Sequence, residues 1–524
     1  MLLGKLGKVT LVGAGPGDPG LITLCGVEAL QEAEVVIYDY LAAPELLKHA
    51  PPNAERIYVG KKAGHHTLSQ EEINMLLVQL AQAGRQVVRL KGGDPFVYGR
   101  GGEEAEALAA AKVPFEVVPG VTSATAVPAY AGIPVTHRGV ASSFAVVTGH
   151  EAPSKEKSTI NWDALVGVDT LVVLMGVGNL TRVVEELTRR GRSSDTPVAL
   201  IQWGTFGTQR TVVGTLADIV QSVRAAGLRA PAVTVVGDVV ALRDKLRWFD
   251  LKPLYGLRVL VTRARNQASR LSSALRSLGA QPVECPLTEI APPLDWEPLD
   301  AAIRRLNVAG GNSTYHWIVF TSANGVSAFL ERLSLAGLDA RAMGVAKVAA
   351  IGPATAEVLA AHGVRADLVP GAYVSKALAD EMGTVDGLRV LLLRADIARP
   401  TLFQRLVDAG ALVEEVVVYR TVRPEGLESQ LRGILPELDV ITFTSSSTVR
   451  HFVEALSSQG SAAIPEDVAV ACIGPITAET ARQMGLQPEV VAEEYTIDGL
   501  VKALLEWRKT QGSKVRRLHQ TGSV

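Results

Sequence analysis

Four segments in the second half of this chain recur in the same order. Gly256-Leu-Arg-Val-Leu-Val-Thr-Arg-Ala264 returns as Gly387-Leu-Arg-Val-Leu-Leu-Leu-Arg-Ala395. Phe320-Thr-Ser-Ala-Asn324 returns as Phe443-Thr-Ser-Ser-Ser447, and Ile351-Gly-Pro-Ala-Thr-Ala356 as Ile473-Gly-Pro-Ile-Thr-Ala478. Tyr373 is echoed by Tyr495. A twofold repeat of βα units predicts two similar lobes, with the cleft between them as the default ligand site. A duplication kept only for folding would leave the same trace.

The first half alternates in the same way, without a repeat. Lys8–Val12, Glu34–Asp39, Gln86–Leu90, Phe144–Thr148, Thr170–Met175, Pro197–Ile201 and Ala232–Val236 read as strands. Leu21–Ala33 and Glu71–Ala83 read as helices, the second opened by a Ser69/Glu72 capping box and stopped at Gly84. This order predicts an α/β protein of parallel sheets covered by helices. The pattern breaks at Trp248–Tyr255, where Pro253 and Gly256 bracket an expected linker.

Composition removes several classes of function. The 524 residues suffice for three or four domains, and 47% hydrophobic with 20% charged residues suits a soluble α/β chain. A net charge of -2 argues against a nucleic-acid partner. Cys25, Cys285 and Cys472 are far apart and lack histidine neighbours, so neither disulfides nor a metal are expected. Val117–Val135 carries no charge, but Pro119, Pro128 and Pro134 would break a spanning helix. With no signal peptide legible at Met1–Lys8, the expected location is the cytoplasm.

Gly13-Ala-Gly15-Pro-Gly17-Asp-Pro-Gly20 follows the first strand and opens a helix. Gly15, Gly17 and Gly20 satisfy the spacing of a dinucleotide loop, and Asp39 ends the next strand where a ribose-binding acid would stand. An oxidoreductase is therefore one reading of this segment. Pro16 and Pro19 count against it, because they remove amide donors that a pyrophosphate needs.

Further motifs carry a resemblance. Gly13–Gly20, Tyr38-Asp39, Val59–Gly64, Gly92-Gly-Asp-Pro95, Tyr98–Gly101 and Pro119–Ser123 stand in the order of the tetrapyrrole methylases. Within that superfamily, Val59 through His65, His66 and Gln70–Asn74 resemble the uroporphyrinogen-III C-methyltransferases. So do Pro134–Gly139, Thr148–His150, Met175-Gly176, Gly204-Thr205, Gln209-Arg210 and Pro231-Ala232. The resemblance implies a two-lobed fold dividing near residues 120–138, S-adenosylmethionine as co-substrate, no metal, and a homodimer formed through this half. Cofactor contacts are implied at Pro16, Gly92, Gly93, Asp94, Val97, Thr122, Ser123, Met175 and Gly204. Asp39 is implied as proton acceptor and Lys61 as donor, since a methylated pyrrole must lose a proton. A helix cap and a solvated surface lysine are the competing readings. Lys62, Arg89, Lys91, Arg100, His137, Arg138 and Arg210 are candidates to meet the substrate's eight carboxylates.

Residues 256 to about 508 resemble uroporphyrinogen-III synthase. The likeness rests on the opening Val259–Arg263, Phe320-Thr-Ser322, Ile351-Gly-Pro353, Val418–Thr421, Phe443–Ser445 and Ile473–Thr477. It implies a bilobal fold, with lobe one about 256–288 plus 421–508 and lobe two about 292–416. The methyltransferase would then occupy about residues 1–247, the linker 248–255 and a polar tail 509–524. The implied reaction closes hydroxymethylbilane to uroporphyrinogen III, with the last pyrrole inverted and no cofactor. Tyr419 is the candidate for assisting loss of the hydroxyl, because a phenol keeps its proton at neutral pH. Ser445, Ser447 and Thr477 are candidates for binding substrate carboxylates, with helix capping as the competing role. The alternative for the whole chain is a methylase of another tetrapyrrole fused to a non-catalytic tetrapyrrole-binding module.

Overall fold

The computed structural model describes residues 6–60, 68–150, 160–262, 265–306, 314–371, 375–398, 400–457 and 464–511. Among the described residues, twenty strands form four five-stranded sheets, two in each half. The first sheet holds β1 (Lys8–Gly13), β2 (Val35–Tyr38), β3 (Glu55–Tyr58), β4 (Gln86–Lys91) and β5 (Phe115–Val118), all parallel, ordered β3-β2-β4-β1-β5. The second holds β6 (Phe144–Thr148), β7 (Thr170–Leu174), β8 (Pro197–Gln202), β9 (Arg210–Thr215) and β10 (Ala232–Val236), ordered β6-β7-β10-β8-β9. It departs from the expected parallel arrangement, because β10 runs antiparallel to both β7 and β8, and β9 to β8. Alternation in the sequence fixes which residues face each side of a strand, not the direction of its neighbour.

In the second half come β11 (Arg258–Val261), β12 (Gln281–Glu284), β13 (Glu289–Ala291), β14 (Trp317–Phe320) and β15 (Lys347–Ala350). They are followed by β16 (Arg389–Ala395), β17 (Leu412–Val422), β18 (Val440–Phe443), β19 (Ala469–Cys472) and β20 (Pro488–Val491). The third sheet is β12-β11-β18-β19-β20 and the fourth β13-β17-β16-β14-β15. The parallel cores of both share one pattern, in which β12, β11, β18 and β19 correspond to β17, β16, β14 and β15. The sequence repeat is thus not a lobe. Its first copy gives β11 and β12 to the third sheet and β14 and β15 to the fourth; its second copy does the reverse. Antiparallel pairing of Glu289 with Val422 and Ala291 with Arg420 forms the neck between the two sheets.

Each sheet is apolar on both faces, as strands buried between helix layers must be. Val9, Leu11, Val35 and Ile37 face one core, and Val12, Val36, Val88 and Leu90 the other. The same split separates Leu171 and Val173 from Val172 and Leu174, Leu260 and Ile441 from Val259 and Val440, and Ile318 and Leu391 from Val319 and Leu392. The capping box at Ser69 forms as read, starting the helix Gln70–Gln82. Among the described residues no helix is long and apolar enough to cross a membrane.

The segment joining the halves is packed on both sides. Trp248 donates its indole N–H to the Ala129 carbonyl at 3.0 Å, and Tyr130 stacks edge-on against Trp248. Phe249 and Leu254 are buried, the latter in the core beneath β11. Arg276 lies 3.9 Å from Glu45 across the joint.

Candidate active sites of the two halves

The ends of β4, β1 and β5, neighbours in the first sheet, meet through glycines. A Cβ on Gly13 would lie 2.4 Å from Gly120 Cα, and one on Gly120 would lie 2.2 Å from the Gly93 carbonyl oxygen. Gly15 and Gly93 exchange backbone hydrogen bonds of 3.2 and 2.7 Å, locking the two glycine loops together. Gly93 holds φ +70°, which only glycine adopts without penalty. Pro16 sits half-buried beside this bridge. Asp94 ties the loops from below: its carboxylate accepts the Phe96 amide at 2.8 Å and the Gly120 amide at 2.9 Å. Thr122 caps the helix Ser123–Tyr130, whose first residue is Ser123.

That helix carries the first lobe's loops onto the second sheet. Its Ala124 and Val127 pack with Leu174, and Val97 packs against the same cluster. Tyr98 donates its hydroxyl to the Val146 carbonyl on β6 at 3.0 Å. Met175 follows Leu174 directly and is half-exposed, and a Cβ on Gly204 would lie 2.3 Å from the Val127 side chain. The nine residues read as cofactor contacts therefore stand on loops that touch one another. Backbone strain collects in the same loops. Of the six non-glycine residues with positive φ among the described residues, five are Tyr98, Arg100, Met175, Trp203 and Thr205. Such conformations persist where surroundings enforce them, commonly at ligand sites.

Asp39 stands at the C-terminal end of β2, its side chain 27% exposed. Oδ2 accepts from Arg89 at 3.1 Å and Oδ1 from the Leu41 amide at 3.1 Å. Arg89 is held by Glu104, which also accepts from Lys91 at 2.8 Å and from Gln70 at 3.2 Å. Burial and the neighbouring Arg89 push the Lys91 ammonium below its ordinary value. Arg89 and Lys91 are thus interior counter-ions, which corrects their reading as carboxylate binders; burial is a tertiary property that their motif does not encode. Arg210 donates to the Ala226 carbonyl at 2.7 Å and Arg100 pairs with Glu103, while His137 and Arg138 remain exposed. Lys61, Lys62, His65 and His66 lie outside the described residues.

In the second half, Tyr419 lies on β17 with its ring in the core of the fourth sheet and its hydroxyl donating to Ser322 Oγ at 3.0 Å. Ser322 is itself the cap of the helix Ala323–Leu335. On the third sheet, Ser445 precedes the helix Ser446–Ser457 and accepts the Thr448 amide at 3.3 Å. Ser447 is exposed and bonds to Ser445 at 2.9 Å. Thr477 is buried within the helix Pro475–Gln483, whereas its neighbour Ile476 and the echo residue Tyr495 are exposed. The hydroxyls of Ser446 and Thr480 join these two helices at 2.8 Å, a tie with no mark in the repeat.

Comparison with known proteins matches the two halves of the chain to two different families. The family of tetrapyrrole (corrin/porphyrin) methylases matches residues 8–220, and that of uroporphyrinogen-III synthase matches residues 269–502. A porphyrin biosynthesis protein, HemD, from Ruminiclostridium josui is 39% identical over 507 residues, covering 95% of this chain and 98% of its own. This chain belongs to the family of fused uroporphyrinogen-III C-methyltransferases and synthases. The methyltransferase half is 56% identical to an S-adenosyl-L-methionine-dependent uroporphyrinogen III methyltransferase from Methanosarcina barkeri, over 46% of this chain and 96% of that one. A solved uroporphyrin-III C-methyl transferase from Thermus thermophilus, complexed with S-adenyl homocysteine, is 43% identical over 45% of this chain and 100% of its own, with a TM-score of 0.39. The fusion thus unites an S-adenosylmethionine-dependent methyltransferase half with a synthase half.

Proposed function

We propose that the fusion carries out two successive steps of tetrapyrrole synthesis. The synthase half closes hydroxymethylbilane to uroporphyrinogen III with inversion of the last pyrrole; the methyltransferase half methylates that product twice, giving precorrin-2. The observation that carries this reading is the meeting of both families on one chain, since the product of one reaction is the substrate of the other. The halves are proposed as residues 1–247 and 256–508, joined by 248–255.

The methyl donor fits the loops of the first half. The glycines let the loops pack closely and leave room beside them: a Cβ on Gly92 would lie 2.5 Å from the Leu41 Cβ, whereas one on Gly93 would meet only the Ser123 nitrogen, at 3.9 Å. Pro16, Gly92, Gly93, Val97, Thr122, Ser123, Met175 and Gly204 would line it, with Asp94 fixing the loops. S-adenosylmethionine, when bound, supplies an electrophilic methyl group. Asp39 accepts the proton that the methylated pyrrole carbon sheds, and Arg89, bonded to Oδ2 at 3.1 Å, fixes the orientation of its carboxylate. Lys61 is proposed as proton donor. Holding the reactants in line is worth about 7–11 kcal/mol, which the rigid loops are suited to supply.

In the synthase half, Tyr419 assists departure of the bilane hydroxyl, and the helix starts at Ser445, Ser447 and Thr477 receive substrate carboxylates. Two lobes on a narrow neck can close on one conformer of the bilane. Self-association through the methyltransferase half is proposed too; β6 is an edge strand with Phe144 exposed, the kind of edge that invites pairing. A cytoplasmic location fits these substrates.

Supplying hydroxymethylbilane and S-adenosylmethionine together, and weighing the products, tests the proposal. The mass should rise by two methyl groups on a III-isomer ring. Asp39→Asn should lower methyl transfer by roughly 10²–10⁴-fold while leaving ring closure intact. A product confined to the I isomer would sink the synthase assignment, and unchanged methylation in the variant would return Asp39 to a turn cap.

A further inference from the structure

The joint between the halves leads into the loop Trp203–Gln209, which carries Gly204. Trp203 and Thr205 hold φ of 49° and 73°, which side-chain-bearing residues keep only when their surroundings over-determine them. From the methyltransferase side, Thr205 Oγ1 accepts the Asp18 amide at 2.9 Å, pinning the loop to the first glycine turn. The Thr205 amide donates to Gln209 Oε1 at 3.0 Å, and Gln209 is buried. Phe206 fills the space that a side chain on Gly17 would need.

The remaining anchors come from beyond the methyltransferase half. The Tyr255 hydroxyl donates to the Gln209 carbonyl. The Gly256 amide donates to the Gly207 carbonyl at 3.0 Å, and the Gly207 amide donates to Gln281 Oε1 at 3.1 Å. Gln281 is the first residue of β12, an edge strand of the synthase half. A Cβ on Gly207 would lie 2.5 Å from both the Ala280 carbonyl carbon and the Gln281 nitrogen, so backbone meets backbone there.

We infer that Gln281 is a positioning residue for methyl transfer: the synthase half holds the donor loop of the methyltransferase half in its binding shape. The inference rests on the reading of Gly204 as a donor contact. Gln281 touches neither reactant, so its loss should weaken donor binding and spare the chemical step.

The test uses the full chain. Gln281→Leu removes the acceptor at similar size, and Gln281→Glu keeps an acceptor in place. By calorimetry, Gln281→Leu should bind S-adenosylhomocysteine about 5- to 20-fold more weakly, the effect of one lost hydrogen bond at a strained loop. The KM for S-adenosylmethionine should rise in parallel, with kcat at saturation and uroporphyrinogen-III formation unchanged. Gln281→Glu should restore affinity to within about threefold. Should Gln281→Leu fail to fold, Tyr255→Phe, which cuts the second anchor, is read the same way. Thr205→Val serves as the internal reference. If it weakens S-adenosylhomocysteine binding while the Gln281 and Tyr255 variants do not, the inference is overturned and the donor-loop reading stands. If Thr205→Val also binds normally, the loop is not at the donor and both fall. Equal losses of kcat, affinity and ring closure would mark Gln281 as merely structural, against the inference.

Discussion

Tyr419 and Asp39 are proposed for similar work but stand in opposite surroundings. The tyrosine ring is core, and only its hydroxyl, bonded to Ser322 Oγ at 3.0 Å, reaches the edge of the sheet. Tyr419→Phe keeps the ring and removes one neutral hydrogen bond, so its stability cost should be about 0.5–1.5 kcal/mol. Uroporphyrinogen-III formation should slow substantially without ceasing, because the bilane loses its hydroxyl even unaided and the protein's main task is to steer the closure. Melting temperature measured beside the I:III ratio decides the matter: an unchanged ratio and rate in a less stable protein would leave Tyr419 a core residue. Asp39 was legible because its neighbours Tyr38 and the glycine motifs place it at a strand end. Its support was not. Glu104 takes Arg89 and Lys91 from elsewhere in the fold, and its only sequence signal is a place four residues before Leu108 on the buried face of the helix Gly101–Ala110.

At the scale of elements, helices are tied to one another by charge as well as by apolar packing. Asp300 on the helix Glu297–Leu306 receives two bonds, of 2.6 and 2.5 Å, from Arg332 on the helix Ala323–Leu335. Arg332 also lies 4.9 Å from the centroid of the Trp296 ring. Its guanidinium holds the Asp300 carboxyl below the usual carboxylate range. A depressed carboxyl stabilises the fold above its unfolded value, near 4, and loses that contribution as pH falls through the lower folded value. Asp300→Asn should therefore cost about 1 kcal/mol at pH 7, discounted for partial exposure, and progressively less below about pH 4. Urea unfolding at both pH values checks this; a constant difference would assign the loss to packing. Helix starts such as Ser69 and strands such as Phe144–Thr148 and Ala232–Val236 were readable because cap and period are local. The antiparallel course of β10 was not, since strand direction depends on partners about thirty residues or more away.

For the whole molecule, the exchange of repeat halves between lobes matters more than the repeat itself. In the methyltransferase half each sheet is made from one continuous stretch of chain. In the synthase half, β11 pairs with β18, and Thr262 and Thr442 bond across them over a separation of 180 residues. Closing so long a loop is entropically costly, and non-local pairing slows folding. After dilution from urea, amides of β1–β10 should gain exchange protection before those of β11 and β12; simultaneous protection would contradict this. Family likeness implied the swap, since it joined residues 256–288 to 421–508 in one lobe; the repeat alone did not, because matching segments reveal kinship and not pairing. On the ribosome the consequence has a duration. At about 5–20 residues per second, β11 and β12 wait roughly 10–40 s for β18 to emerge. Throughout that interval Val259, Leu260 and Val261 face water or a chaperone, while the lobe meant to sit across the neck is already being made.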